Sequence, residues 1–515
     1  MKELLLRMFG LDLRSLAALR IGLALVALCD LVVRARDLSV HYTDYGTLAR
    51  HDVLAWFDGR HELAVSLHLY GGNAASQLVL FAVHAAALLA MLAGWHTRIA
   101  TGVCWLLALS LHLRNPFLVY GADVLMRLLM LWGILLPLGA RWSLDAAAAA
   151  QPREEKRCMS IAAIGLQLQV ALVLFIAGAA KLATPFWLRG EGLATALDHE
   201  FHTRPLGHWL QRQPSLVRLL SHGVLALEAG GALAMFAPWW RIRVAVLVAL
   251  WAMLAGIFVT MRVGFFPAAT AVALLPLVPG AFWDRLEQRL RGSTRLSMLR
   301  ERWQAAVVPR LRRTQARGVD GAGGARSIAG GAARVAGEIF AAWLIVYTAA
   351  WNIGFWYDRD YEPPRGLAEL GSVLFLWQQW GMFTDIAATG WFVIPGDLAD
   401  GTTIDLLANG GRLPSLEQAR ARPLTYEKPQ RIADRLPNIH WQAMFATMML
   451  VPDEAGPFQY YARYLCREWN RTHSGGQSLR SLRILHMTRP TQAQPADHPA
   501  SEYERRVLWT HDCFG

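Results

Sequence analysis

The sequence predicts a mainly α, polytopic helical membrane bundle of about nine spans with a C-terminal extracytoplasmic α+β domain. Three observations carry this. The 515 residues are 54% hydrophobic and only 17% charged, with 21 tryptophans, a composition that suits helices packed in lipid and not a soluble enzyme. Apolar stretches of near-span length recur as far as Trp356. After Tyr357 short strand-like and helical runs alternate instead.

The spans run, in order, over Leu16–Val33, Leu78–Ala93, Ile99–Leu113, Val124–Leu138, Ile161–Leu182, Leu219–Phe236, Ile242–Val259, Phe265–Leu277 and Ile339–Trp356. Several fall short of the ~20 residues of a straight crossing. Charge orients them. Lys2, Arg7 and Arg14, the connector with Arg153, Lys156 and Arg157, the Arg241/Arg243 turn, and a stretch from Asp284 to Arg334 with twelve arginines against four acidic residues all share one side. The positive-inside rule makes that side cytoplasmic. The net charge of +12 is thus expected to face anionic lipid, and no nucleic-acid partner is expected. The acid-rich connector Ala35–Ser76 and everything beyond Tyr357 then lie outside. The first apolar segment lacks a small-residue cleavage site and reads as a retained span. The expected location is the cell (inner) membrane, with a cytoplasmic N-terminus.

The expected organisation is a membrane domain (1–283), a basic cytoplasmic loop and linker (284–334), a last transmembrane helix (335–357) and an extracytoplasmic domain (358–515). Gly318–Gly331, rich in glycine and alanine, reads as flexible linker. In the last domain, Gly390–Ala408 reads as a hairpin around Asp400–Gly401, Phe458–Trp469 as a helix, Leu482–Met487 as a strand and Asn409–Pro437 as a polar loop. Cys466 and Cys513 share that oxidising compartment and are expected to pair. Without CxxC or Cys/His ligand spacing, no metal site is expected.

Charged residues cluster at one end of the drawn bundle. Asp30 and Arg34 close the first span, His112 and Arg114 the third and Lys181 the fifth; Asp123 and Arg127 open the fourth, His222 and Glu228 the sixth, and Arg262 joins them at a turn. Asp30/Arg34 and Asp123/Arg127 are each four residues apart, so each pair shares a helix face. Together these residues imply an outward-opening polar pocket; the plainer alternative is that the pairs cross-link helices. Lys181 is the sharpest candidate. An ammonium in apolar surroundings is a functional hypothesis by default, with desolvation favouring the neutral amine that a base requires. The alternative is a snorkelling end-of-helix anchor.

The blocks LRIGLALVALCDLVVR from Leu19, GWHTR at Gly94, SLHLRNPFLVYGADVLMRLL at Ser110, LPLGARWSLD at Leu136, FIAGAAKL with Trp187 and Gly190, and MRVGFF at Met261 resemble the horizontally transferred transmembrane (HTTM) family over about the first 280 residues. That family includes the vitamin K-dependent γ-glutamyl carboxylases. The resemblance implies that Lys181 is the base that deprotonates reduced vitamin K or another quinol, which is the only cofactor suggested. It also implies a departure: where the carboxylases carry a functional histidine ahead of the Tyr-Gly element, here Tyr120–Gly121, this chain has Pro116, which relays no proton. His112, one turn earlier, is the candidate substitute.

Two function classes follow. One is a quinol-dependent, carboxylase-like membrane enzyme with Lys181 as base. The other is a non-enzymatic transport, export or peptide-maturation factor, whose cavity binds a peptide or small solute.

Overall fold

The computed structural model describes residues 2–58, 65–149, 154–199, 201–291, 325–357, 361, 363–384, 388–408, 413–421, 424–429, 432–450, 455–490 and 503–514. A short helix, α1 (Lys2–Phe9), leads into strand β1 (Leu11–Asp12), which pairs antiparallel with β2 (Arg157–Cys158). Asp12 then caps α2 (Leu13–Ala35), accepting from the Arg14 N–H at 2.8 Å. Asn73 caps α3 (Ala74–Ala93) in the same way, and this helix ends at Gly94 in the left-handed region, φ +69°. α4 (Thr97–Arg114) and α5 (Gly121–Leu135) pack on one another and with α2 and α3.

The second half of the bundle holds α6 (Ile161–Leu182), α7 (Pro214–Leu225), α8 (Trp240–Thr260), α9 (Phe266–Ala273), α10 (Gly280–Arg291) and α11 (Ala325–Tyr357). α7 continues through a π-helical turn, Ala226–Gly230, before regaining α geometry. α6 packs on α11 and on that turn.

Among the described residues six helices are long and apolar enough to cross a membrane: Leu13–Ala35, Ala74–Ala93, Ile161–Leu182, Pro214–Ala234, Trp240–Thr260 and Gly331–Gly354. The bent pair Phe266–Leu277 and Gly280–Leu290, which turns through 93°, would make seven. The chain is therefore a multi-pass membrane protein that touches lipid along its apolar helices, and the expected count of nine is not confirmed among the described residues. The difference lies largely in α4 and α5. α5 has only 15 residues, and α4 closes on His112 and Arg114, so neither is a long uninterrupted apolar helix. Both ends of the expected arginine-rich linker are also helical. α10 covers its start, and α11 begins at Ala325, inside the glycine- and alanine-rich stretch; residues 292–324 lie outside the described residues.

The C-terminal part is built on five antiparallel strands: β3 (Ala388–Val393), β4 (Pro395–Leu398), β5 (Thr403–Asp405), β6 (Leu479–Pro490) and β7 (Glu504–Asp512). β6 pairs with β3 and β4 along one edge and with β7 along the other. β4 and β5 form the hairpin, with Gly401 at φ +86° in its turn. α12 (Arg365–Val373) precedes the sheet. α13 (Ile439–Leu450) packs onto the turn Pro116–Leu118 of the bundle, while α14 (Ala455–Asn470) packs on β6 and β7. A disulfide joins Cys466 of α14 to Cys513, with Cα atoms 5.4 Å apart.

Candidate functional site

Two clusters of buried charge occupy the bundle. The first is built where α6 meets the π turn. Gly178 allows the approach: a Cβ there would lie 2.5 Å from the Ala229 nitrogen. An extra residue in a helical turn alters the facing of the side chains around it, and here Glu228 lies within that turn, against α6. The Lys181 Nζ donates to Glu228 Oε2 at 2.6 Å, and both side chains are buried. The amine also lies 5.3 Å from the centre of the Trp187 ring, whose Nε1 donates to the Phe383 carbonyl at 2.8 Å. Lys181 thus turns into the bundle against a carboxylate, which a snorkelling anchor does not do.

The second cluster centres on Arg34. Its Nε donates to Asp30 Oδ2 at 2.6 Å, one Nη to Asp123 Oδ1 at 2.7 Å and the other to the Tyr42 hydroxyl at 2.8 Å. Asp123 is in place because it closes the N-terminus of α5, its Oδ2 accepting from the Tyr120 N–H at 3.2 Å. His112 Nε2 stands 3.6 Å from Asp123 Oδ1, while its Nδ1 is 2.8 Å from an Arg127 Nη. Arg127 in turn donates to the Phe375 carbonyl at 2.6 Å and lies 4.7 Å from the Phe375 ring centre.

Asp30 and Arg34 meet along one helix, but Asp123 and Arg127 do not pair with each other. Asp123 is taken by α2, and Arg127 reaches the C-terminal part. Arg114 is buried in the connector, donating to the Leu48 carbonyl at 2.9 Å with Asp44 3.7 Å away. Desolvation raises the Asp44 carboxyl, but hydrogen bonds and charge from Arg50 outweigh it and hold the group below the usual carboxylate range. Arg262 donates to the Pro437 carbonyl at 2.8 Å. His222 is exposed beside the Gly190 turn and joins neither cluster. Where the sequence implies an open pocket, most of these groups close on one another and on the C-terminal part.

Sequence reasoning passed over α13 and its His440. The imidazole Nε2 lies 2.9 Å from Asp30 Oδ1, and its ring packs edge-on to Tyr120 at 5.8 Å. Asn438 and Trp441 donate to Asp37 Oδ2 at 2.9 and 3.3 Å. The signal was an asparagine of N-cap type ahead of the apolar run IHWQAMFATMML, with one histidine inside it.

A third contact region joins the loop after Gly192–Asp198 to the sheet. Arg489 grips Asp198 at 2.7 and 3.0 Å, His199 stacks on His202 at 4.8 Å, and Phe392 packs against Phe201 and His486. Desolvation pushes His199 and His486 down to about 4 and His202 to about 3.

A family model of the HTTM domain matches residues 10–283, more than half of the chain. No curated protein and no solved structure matches it. The matched region contains Lys181 and Glu228 and the bundle side of the Arg34 cluster. The chain belongs to the HTTM family.

Proposed function

We propose that this protein is a membrane enzyme that takes a proton from a reduced quinol, with Lys181 as the base and Glu228 as its partner. The observation that carries this is the 2.6 Å contact between two buried, oppositely charged groups, one of them on a π-helical turn. Such turns recur at functional sites. The base is the Lys181–Glu228 pair. With its proton lost to solvent it holds a neutral amine beside a carboxylate; accepting the quinol proton restores ammonium beside carboxylate, and the quinolate is left with the negative charge. The buried Trp187 ring, 5.3 Å from the amine, forms an aromatic wall beside it. An apolar crevice of about 240 Å³ between α6, the π-turn helix and α11, lined by Leu172, Phe175 and Leu233 among others, gives a lipid-soluble molecule a place on the same helix.

The role left vacant by Pro116 we assign to His440. It hangs over the turn that carries Pro116 and Tyr120, its Nδ1 3.4 Å from the Leu118 carbonyl, whereas His112 is engaged by Arg127. This reading puts the C-terminal part outside the cell membrane, where the Cys466–Cys513 bond is stable, and makes it the cover of the site. Oxygen uptake driven by reduced quinol, measured on purified protein, tests the proposal. Uptake that disappears in Lys181→Met is expected. No uptake in the unaltered, folded protein refutes the enzyme and favours a peptide-maturation or transport factor.

A further inference from the structure

We propose that α10, together with α1, lies flat in the membrane surface on the face that carries the N-terminus and binds an anionic lipid leaflet there. The first reason is direction. α10 leaves the preceding apolar segment at 93°, so where that segment runs along the membrane normal, α10 runs in the membrane plane.

The second reason is its fixed rotation. Trp283 Nε1 donates to Ser15 Oγ at 2.7 Å, and Arg14 binds Asp284 and Glu287 at 2.9 and 3.3 Å. These contacts set Trp283, Asp284 and Glu287 toward the start of α2, with both carboxylates still partly exposed. Phe282, Leu286 and Leu290, at positions i, i+4 and i+8, form a stripe that adjoins Trp283, with Leu286 partly buried against the core. Phe282 and Leu290 are both exposed.

The third reason is charge. Arg285 and Arg289 flank the stripe and are exposed, and the Arg285 guanidinium lies 4.7 Å from the Trp240 ring centre. Trp239 beside it is exposed too, and tryptophan at this level is the mark of a headgroup boundary. α1 is tied to the same turn of α8, since Arg243 donates to the Arg7 carbonyl at 2.8 Å, and it shows Leu4 and Leu5 beside Arg7. Apolar side chains with cations at their border fit the boundary of an anionic leaflet.

Spin labels on the full-length protein test this. Cys29, Cys104 and Cys158 are replaced, the disulfide pair is kept, and single cysteines are introduced as Phe282→Cys, Leu290→Cys and Gln288→Cys. The protein is reconstituted in vesicles of phosphatidylcholine with phosphatidylglycerol, or of phosphatidylcholine alone. In the mixed vesicles the labels at 282 and 290 should collide with oxygen, which concentrates in hydrocarbon, and the label at 288 with a water-soluble nickel chelate. Labels at 282 and 290 that favour nickel, or that meet neither reagent, overturn the proposal. Replacing Arg285 and Arg289 with glutamine should weaken seating on the anionic vesicles by about fivefold per arginine. Equal seating in both vesicle types overturns the anionic preference. If the Phe282 variant does not fold, Leu290→Cys carries the same test.

Discussion

Arg34 and Asp123 are 89 residues apart in the chain and 2.7 Å apart in the structure. The pair fastens α2 to α5 through a buried contact, and Asp30 and Tyr42 complete the coordination of the same guanidinium. Arg34→Met would leave two buried carboxylates facing each other without a cation, and the cost should be about 3–5 kcal/mol. Replacing Asp123 with leucine in the same chain should recover part of it. Unfolding in detergent measures both. A loss no larger than the ~0.2–1 kcal/mol of an exposed pair would show that the contact is not formed.

The Lys181–Glu228 contact gives a sharper test. Lys181→Met and Glu228→Gln should each abolish quinol-driven oxygen uptake. Their stability effects should be non-additive, since each single change strands the other partner and the double change removes both charges. Additive effects on melting would place the two groups out of contact.

Gly178→Ala should act on the same pair without touching its chemistry. The added methyl meets the backbone of the π turn, so α6 and α7 must separate, at a cost of about 1–3 kcal/mol. Activity should fall together with melting temperature. Unchanged values of both would refute the close approach.

His440→Gln removes a ring-mediated contact between α13 and Asp30. A hydrogen bond to a charged group is worth about 1.5–3 kcal/mol, so the C-terminal part should open more often. Amide exchange in Ile439–Leu450 should accelerate while exchange in α2 is unaffected. Uniform acceleration of both would mean the bundle itself is destabilised.

Acid should loosen the contact between the sheet and the loop after Gly192–Asp198. His199, His202 and His486 have folded-state values below the ~6.5 of an unfolded chain; burial keeps them neutral. Their contribution is complete above pH ~6.5 and falls as pH drops toward about 4, because the unfolded state then binds more protons. His486→Phe should flatten the stability profile over this window. A profile identical to that of the unaltered protein would exclude His486 as a contributor.

Much of this was legible because lipid imposes a simple rule: long apolar runs become helices, and Leu16–Val33 and Ile161–Leu182 fall inside or on the observed ones. The hairpin at Asp400–Gly401 was legible from its turn chemistry. The partners of the charges were not. Spacing of four places Asp123 and Arg127 on one face, but it does not say what stands opposite, and α2 supplies a better cation. His440 lay hidden because its meaning depends on an aspartate 410 residues away. β7 was missed because ERRVLWTHD has the polarity of a loop and is a strand only by pairing with β6.

The segment from Leu374 to Thr384 takes no regular structure, yet Arg127, Trp351 and Trp187 each donate to one of its carbonyls, at Phe375, Gln378 and Phe383. These donors come from three separate helices. A strap fastened at three points has no slack: releasing any one leaves a buried carbonyl bare and drags on the next. Access to the interior beneath it should therefore be cooperative, with the whole strap lifting at once and not peeling from one end.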